Sequence, residues 1–243
     1  DLDSIEAEGR IQGGTLRAIQ RKFEFFNRFE FLQKKAEDED INYVFDYLNR
    51  GTSIVLEFGK YGDTLAAYVF VANFLTRRIH RRYVDRVNRA MGKLADEPLP
   101  LVIVIEEAHK FLDPQIAQHT IFGTIARELR KYKVTLLIID QRPSGIDEEV
   151  MSQIGTRVTG LLDNEADIKA VFSGVSGAGQ LREVLARLDT QQQALILGHA
   201  VPMPVVVKTR DYDEALYEAV GYVEGEALKA KREKGSKVLF GEE

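Results

Sequence analysis

Cysteine is absent from the 243-residue sequence, and with it go disulfides, thiolate metal sites and thiol nucleophiles. Histidine is scarce: His80, His109, His119 and His199 are the only four, and none has a ligand-spaced partner, so a histidine-built metal centre is not expected. No apolar run approaches the roughly 20 residues needed to cross a bilayer. The opening DLDSIEAEGR lacks the basic-then-apolar pattern of a secretory signal, and the cytoplasm is the expected compartment. The first residue is Asp1 rather than methionine, which points to a processed or cut chain. Positive charge is not in excess either. With 33 basic and 38 acidic side chains the net charge is -5, so any contact with a polyanion has to come from a local patch.

What is present suits a folded domain: 44% hydrophobic content in a chain of this length can bury one sizeable core. Leu16, Ile19, Phe23, Phe26 and Phe29 recur at steps of three and four, which predicts an amphipathic helix with an aromatic face, packed in the core, over about Leu16 to Leu32. The apolar run Ser53 to Phe58, between Gly51 and Gly59, reads as a buried strand. A long helix is expected from about Thr64, basic in its second half. Leu101 to Ile105, after the loop prolines Pro98 and Pro100, and Val134 to Ile139 are the two strongest strands. Pro114 to Lys131 suits a helix, and strand, helix, strand in that order predicts parallel pairing through a right-handed crossover. A strand over Thr156 to Leu161, helices over 164 to 188 broken by a flexible glycine-rich loop at Ser173 to Gly179, and a closing pair of strands at 194 to 197 and 205 to 207 complete an α/β reading: a wound, largely parallel sheet with helices on both faces. The expected division is a helical segment over 1–50, the core over 51–212 and a charged tail over 213–243.

Chemistry concentrates where the first strong strand ends. Ile103-Val-Ile-Glu106-Glu107 sets two carboxylates at the carboxyl end of a buried strand, the edge at which open α/β sheets bind ligands. There Glu106 can reach a magnesium ion, usually through water, and Glu107 can orient and deprotonate an attacking water. Capping of the next helix by the same acidic pair is the competing reading. The second strand ends in Asp140-Gln141-Arg142-Pro143. If the strands are neighbours, Asp140 or Gln141 lies beside the carboxylates, placed to sense a terminal phosphate or hold the lytic water. His109, directly after the acids, can hydrogen-bond into the same place.

Ile-Glu-Glu-Ala-His-Lys-Phe at 105–111, Ala-Arg-Glu-Leu-Arg-Lys at 126–131, Asp-Gln-Arg-Pro at 140–143, Ser152-Gln153 and Asp163-Asn164, in that order, resemble the HerA-type branch of the HerA and FtsK superfamily of ring-forming DNA pumps. The resemblance covers about Ser53 to Thr209. It implies a RecA-like core of the P-loop NTPase class, ATP and magnesium (Mg2+) at subunit interfaces of a homohexamer, and double-stranded DNA threaded through the ring. By the same resemblance Glu107 matches the catalytic glutamate, Glu106 the metal-side acid and Gln141 the sensor. Arg130, at the family's Arg-Lys position, matches the arginine acting across the interface, with Arg127 and Arg142 as the other candidates. A nuclease partner of the NurA type and work in DNA end resection follow only by analogy.

The chain departs from the family pattern at Leu129, where glycine is usual, and at Asp140, where serine is usual; both put local geometry in question. A larger departure is that no G-x-x-x-x-G-K-[ST] stretch occurs. Gly59-Lys60-Tyr61 comes nearest and lacks both the earlier glycine and the hydroxyl. This region is therefore expected to be the carboxyl-terminal part of the core without its phosphate-binding strand or the amino-terminal barrel, and to be inactive alone. Arg77, Arg78, Arg81 and Arg82, with Arg86, Arg89 and Lys93, form the obvious basic patch for DNA. Loops near the sheet edge, including Asp113 to Thr120, compete for that contact. Two rivals stand beside the DNA pump: a conjugation or secretion ATPase of the same superfamily, and a non-catalytic module that builds a ring or recruits a nuclease.

Overall fold

The structure is a computed structural model, and residues 13–32, 39–61, 64–175 and 177–220 are described. The chain divides into two compact units, Asp1–Gln141 and Arg142–Glu243. The break falls inside the stretch 51–212 that the sequence suggested as one core. Residues 221–243, most of the expected tail, lie outside the described residues.

In the first unit, helix α1 (Gly13–Glu24) passes into a 3-10 turn at Phe25–Arg28, so the helix expected to reach Leu32 ends early. The aromatic residues cluster all the same. Phe29 is 2% exposed, Phe26 lies 5.3 Å from Phe70, and Phe29 lies 5.8 Å from Tyr61 between ring centroids. Phe23, by contrast, is 66% exposed, which departs from the core face expected for it. Helix α2 (Glu39–Asn49) and the 27-residue helix α3 (Leu65–Met91) follow, the latter burying Ala67, Thr76, His80, Tyr83 and Val87 along one side as its periodicity demands. The run Ser53 to Phe58 forms no strand: Ile54, Val55 and Leu56 are 44%, 91% and 48% exposed, and none of them enters a ladder. An apolar run becomes a strand only where an edge is there to pair with it.

Strand β1 (Leu101–Glu106) and strand β2 (Val134–Ile139) pair in parallel, with Leu101 opposite Val134 and Glu106 opposite Ile139. The connection is broken rather than one helix over 114–131. Helix α4 (His109–Leu112) stops at Asp113, whose carboxylate accepts from the Gln115 amide at 2.8 Å. After a 3-10 turn at Ala117–His119, helix α5 (Ile121–Glu128) begins. Its first amide, on Ile121, donates to the Asn73 Oδ1 of α3 at 2.8 Å, which satisfies a donor that no helical partner can reach. Phe111, Leu112, Phe122, Ile125 and Val134, all at most 2% exposed, form the core behind the strands.

The second unit holds helix α6 (Glu148–Gln153), strand β3 (Thr156–Thr159), helix α7 (Glu165–Val171), helix α8 (Ala178–Leu185), strands β4 (Gln193–Gly198) and β5 (Val205–Lys208), and helix α9 (Glu214–Ala219). The order β3-β4-β5 is antiparallel throughout. Parallel pairing is thus confined, among the described residues, to β1 and β2, within an α/β fold. Asn164 caps α7, accepting from the amides of Ala166 and Asp167. Gly198 has a positive φ of 103°, and a Cβ there would meet the Gly155 carbonyl oxygen at 2.1 Å, so the β3–β4 crossing requires glycine. The Arg157 guanidinium donates to the carbonyls of Met151, Val171 and Ser173. It ties the ends of α6 and α7 together, and burial lowers its affinity for the proton.

Candidate active site at the tips of the parallel strands

The β1–β2 register decides what meets at the carboxyl edge. With Glu106 opposite Ile139, Glu107 and Asp140 are the next residues on their respective strands, and Gln141 follows. Glu106 and Gln141 are exposed, and the Glu107 side chain is 44% exposed. The edge presents its carboxylates to solvent rather than burying them.

At Glu107 the backbone turns. Its φ of 51° lies in the left-handed region, uncommon for a residue with a side chain and costing on the order of 1 kcal/mol or more. The turn is tied to β2 by the Ala108 amide, which donates to the Ile139 carbonyl at 3.4 Å, and Ala108 itself is fully buried. The Lys110 amide closes the turn on the Glu107 carbonyl at 2.9 Å.

Beneath the turn lies Asp140, its side chain 4% exposed. One oxygen, Oδ2, accepts the His109 backbone N–H at 2.7 Å and faces His109 Nδ1 at 2.9 Å. An ionised carboxylate only accepts, so Nδ1 is assigned the proton, and Nε2 faces Glu107 Oε2 at 3.8 Å. The carboxylate, the imidazole and the second carboxylate therefore stand in a row from the tip of β2 to the turn after β1.

A wall comes from α3. The phenol of Tyr68 titrates above the ordinary tyrosine value of 10.0, chiefly through burial and further through the nearby negative charges of Glu106 and Glu107. The Tyr68 ring lies 4.3 Å from that of Phe58 and 4.8 Å from that of Phe111, and the Lys110 ammonium lies 5.9 Å from the Tyr68 centroid. Helical spacing along α3 gives no sign that Tyr68 reaches the acids.

Asp140, read as a contact for phosphate, turns its carboxylate inward to His109, because a buried carboxylate needs donors and His109 supplies two. That leaves exposed Gln141 as the polar side chain of this tip facing solvent. Arg127 lies in α5 and Arg130 in the 3-10 turn Leu129–Tyr132, while their side chains lie outside the described residues. Arg142 is exposed and opens the second unit. Of the basic patch, Arg77, Arg78 and Arg81 are exposed. Arg82 instead donates to Asn42 Oδ1 and lies 4.6 Å over the Phe45 ring, and Arg86 donates to Asn49 and to the Asp96 carbonyl. Those two guanidiniums fasten α3 to its neighbours, so the patch is narrower than its sequence. Among the described residues there is no group of three or more His, Cys, Asp or Glu able to hold a metal, and no helix long and apolar enough to cross a membrane.

A β-helix-β unit with two carboxylates at its carboxyl edge is the arrangement in which open α/β sheets bind ligands. No family model matches the chain. It is 31% identical over 222 residues to a DNA double-strand break repair helicase HerA of Sulfurisphaera tokodaii, covering 83% of this chain and 44% of that protein. It is 27% identical over 257 residues to the protein of that name from Sulfolobus acidocaldarius, covering 94% of this chain and 51% of that one. Among solved structures, VirB4 of Thermoanaerobacter pseudethanolicus superposes with a TM-score of 0.48 at 16% identity over 67% of this chain and 42% of that one, a likeness too loose to bear on function. Over the segment it spans, the chain is similar to the HerA helicases, and it spans about half the length of the curated relatives it matches.

Proposed function

We propose that this chain supplies the hydrolytic edge of an ATP-driven translocase that moves along double-stranded DNA as a homohexameric ring. The observation that carries the reading is the parallel β1–β2 register, which sets Glu106 and Glu107 one strand away from Asp140 and Gln141. Glu107 acts as general base toward the attacking water, and Gln141 holds that water or senses the terminal phosphate. Glu106 is the acid on the magnesium side. The donor set fits this ion: magnesium keeps most of its waters and takes one or two carboxylates together with substrate phosphates, rather than a full protein cage. When bound, it would neutralise charge on the phosphates. Arg130 of a neighbouring subunit meets the charge that builds on the transferred group, with Arg127 and Arg142 as alternatives, and exposed Arg77, Arg78 and Arg81 are candidates for DNA. A NurA-type nuclease as partner, and DNA end resection as the process, extend the same reading by kinship with proteins named as double-strand break repair helicases.

The test is DNA-stimulated ATP hydrolysis by the full-length protein and by this chain alone. We expect turnover from the first and none from the second, because no phosphate-binding loop is found in these residues. Mixing Arg130→Ala subunits with Glu107→Gln subunits should restore about a quarter of the ring's sites if the arginine acts in trans, since only interfaces joining an intact glutamate to an intact arginine turn over. No restoration would remove Arg130 from the interface. A full-length protein that binds DNA, forms rings and hydrolyses no ATP would favour the module that only builds the assembly.

A further inference from the structure

We propose that Asp140 and His109 form a latch that couples the tip of β2 to Glu107, so that the position of the base is set by the strand that carries Gln141. This rests on the reading of Glu107 as the base. Three features of the geometry point to it. Asp140 is the residue between the last paired position of β2 and Gln141, and its side chain is 4% exposed. Its Oδ2 receives both the backbone N–H and the ring Nδ1 of His109, at 2.7 and 2.9 Å, so one atom fixes the main chain and the imidazole together. The imidazole then faces the Glu107 carboxylate at 3.8 Å, over a backbone held at a φ of 51°.

A side chain on a left-handed, solvent-facing turn has no reason to keep one orientation unless something holds the turn. The Lys110 amide closes the turn locally on the Glu107 carbonyl at 2.9 Å, and the tie to β2 is a separate matter. The Ala108 amide reaches the Ile139 carbonyl at a long 3.4 Å, and Ala108 offers only a methyl group to pack. The Asp140 carboxylate is the charged partner, and charge-assisted hydrogen bonds are about twice as strong as neutral ones. His109 is thus a positioning residue. Its backbone N–H and its ring are both held by Asp140, so any shift of the β2 tip is passed to the turn that carries the base. Because Gln141 is bonded in sequence to Asp140, a displacement of the sensor on phosphate contact reaches Glu107 without a separate pathway.

Asp140→Asn tests the latch with little change of shape. A carboxamide oxygen in the Oδ2 position can still accept from both the His109 amide and Nδ1, so the substitution keeps the shape while removing the charge that strengthens both bonds. In the 243-residue chain, 15N spectra of labelled histidine should show His109 protonated at Nδ1, with that preference weakened after Asp140→Asn. In the full-length protein, Asp140→Asn and His109→Ala should each lower kcat for ATP by about 10- to 100-fold, with KM for ATP within about twofold of wild type. His109→Ala retains the backbone bond and serves if Asp140→Asn melts early. Glu107→Gln separates the two claims. If it abolishes turnover while Asp140→Asn and His109→Ala keep wild-type kcat, the latch is overturned and the base stands. If Glu107→Gln turns over normally, the base reading fails and takes the latch with it. A His109 ring protonated at Nε2 alone in the wild type overturns the latch on structure alone.

Discussion

The two units solve the sheet problem differently. In the second, β4 is flanked by β3 and β5, and its Leu195 and Leu197 lie in a cluster with Ile168, Phe172, Leu185 and Leu188, all at most 7% exposed. In the first, β1 and β2 have only one another among the described residues, and one face of the pair leaves Val102, Val104, Leu137 and Ile139 at 54%, 53%, 48% and 47% exposed. Antiparallel strands can close a core with one covered face, whereas parallel strands are stable when covered on both. The unit that bears the carboxylates is therefore the one whose apolar sheet face calls for cover by a further element or chain.

The contrast can be broken from the stable side first. Leu185→Ala, at a fully buried position of the second unit, should cost about 2–5 kcal/mol in urea unfolding of the chain; a loss below about 1 kcal/mol would mean that this cluster is not closed. Val104→Thr sharpens the other side. On the uncovered face it should change the stability of the isolated chain by no more than about 0.5 kcal/mol, as surface substitutions do. In the full-length protein it should cost about 1–3 kcal/mol, the penalty for burying an unpaired hydroxyl. Equal effects in both settings would show that the face stays bare.

The smallest effect reports on the site itself. The folded state holds the Tyr68 proton more tightly than the unfolded chain, whose phenol titrates near 10.0, so this contribution to stability is present below that pH and is lost as pH rises through the raised native value. Glu107→Gln should lower the Tyr68 pKa, as followed by ultraviolet difference absorption, yet leave it above 10.0, because burial is the larger cause. No change would separate Tyr68 from the acids.

Much of the first unit was legible. Leu101 to Ile105 and Val134 to Ile139 are apolar runs long enough to be strands, and the carboxylates are recognisable because they interrupt such a run at its carboxyl end. Equally apolar, Ser53 to Phe58 misled, since hydrophobicity marks a residue for burial without saying whether a neighbouring edge exists. The helix expected over 114–131 is interrupted before Ile121, where the Thr120 hydroxyl donates to the Phe111 and Ala117 carbonyls. Arg82 was grouped with the basic patch because spacing along α3 does not reveal that Asn42 and Phe45 of α2 lie against it. The row Asp140, His109, Glu107 was out of reach for a similar reason. It depends on the β1–β2 register and on a left-handed φ at Glu107, and neither is a property of local sequence.

The most direct test of the strand-tip site is nucleotide turnover by the full-length protein carrying Glu107→Gln, measured beside its binding of ATP. ATP should bind nearly as in the wild type while DNA-stimulated hydrolysis falls by at least about 100-fold, the scale of a lost general base. Hydrolysis at the wild-type rate would contradict the site.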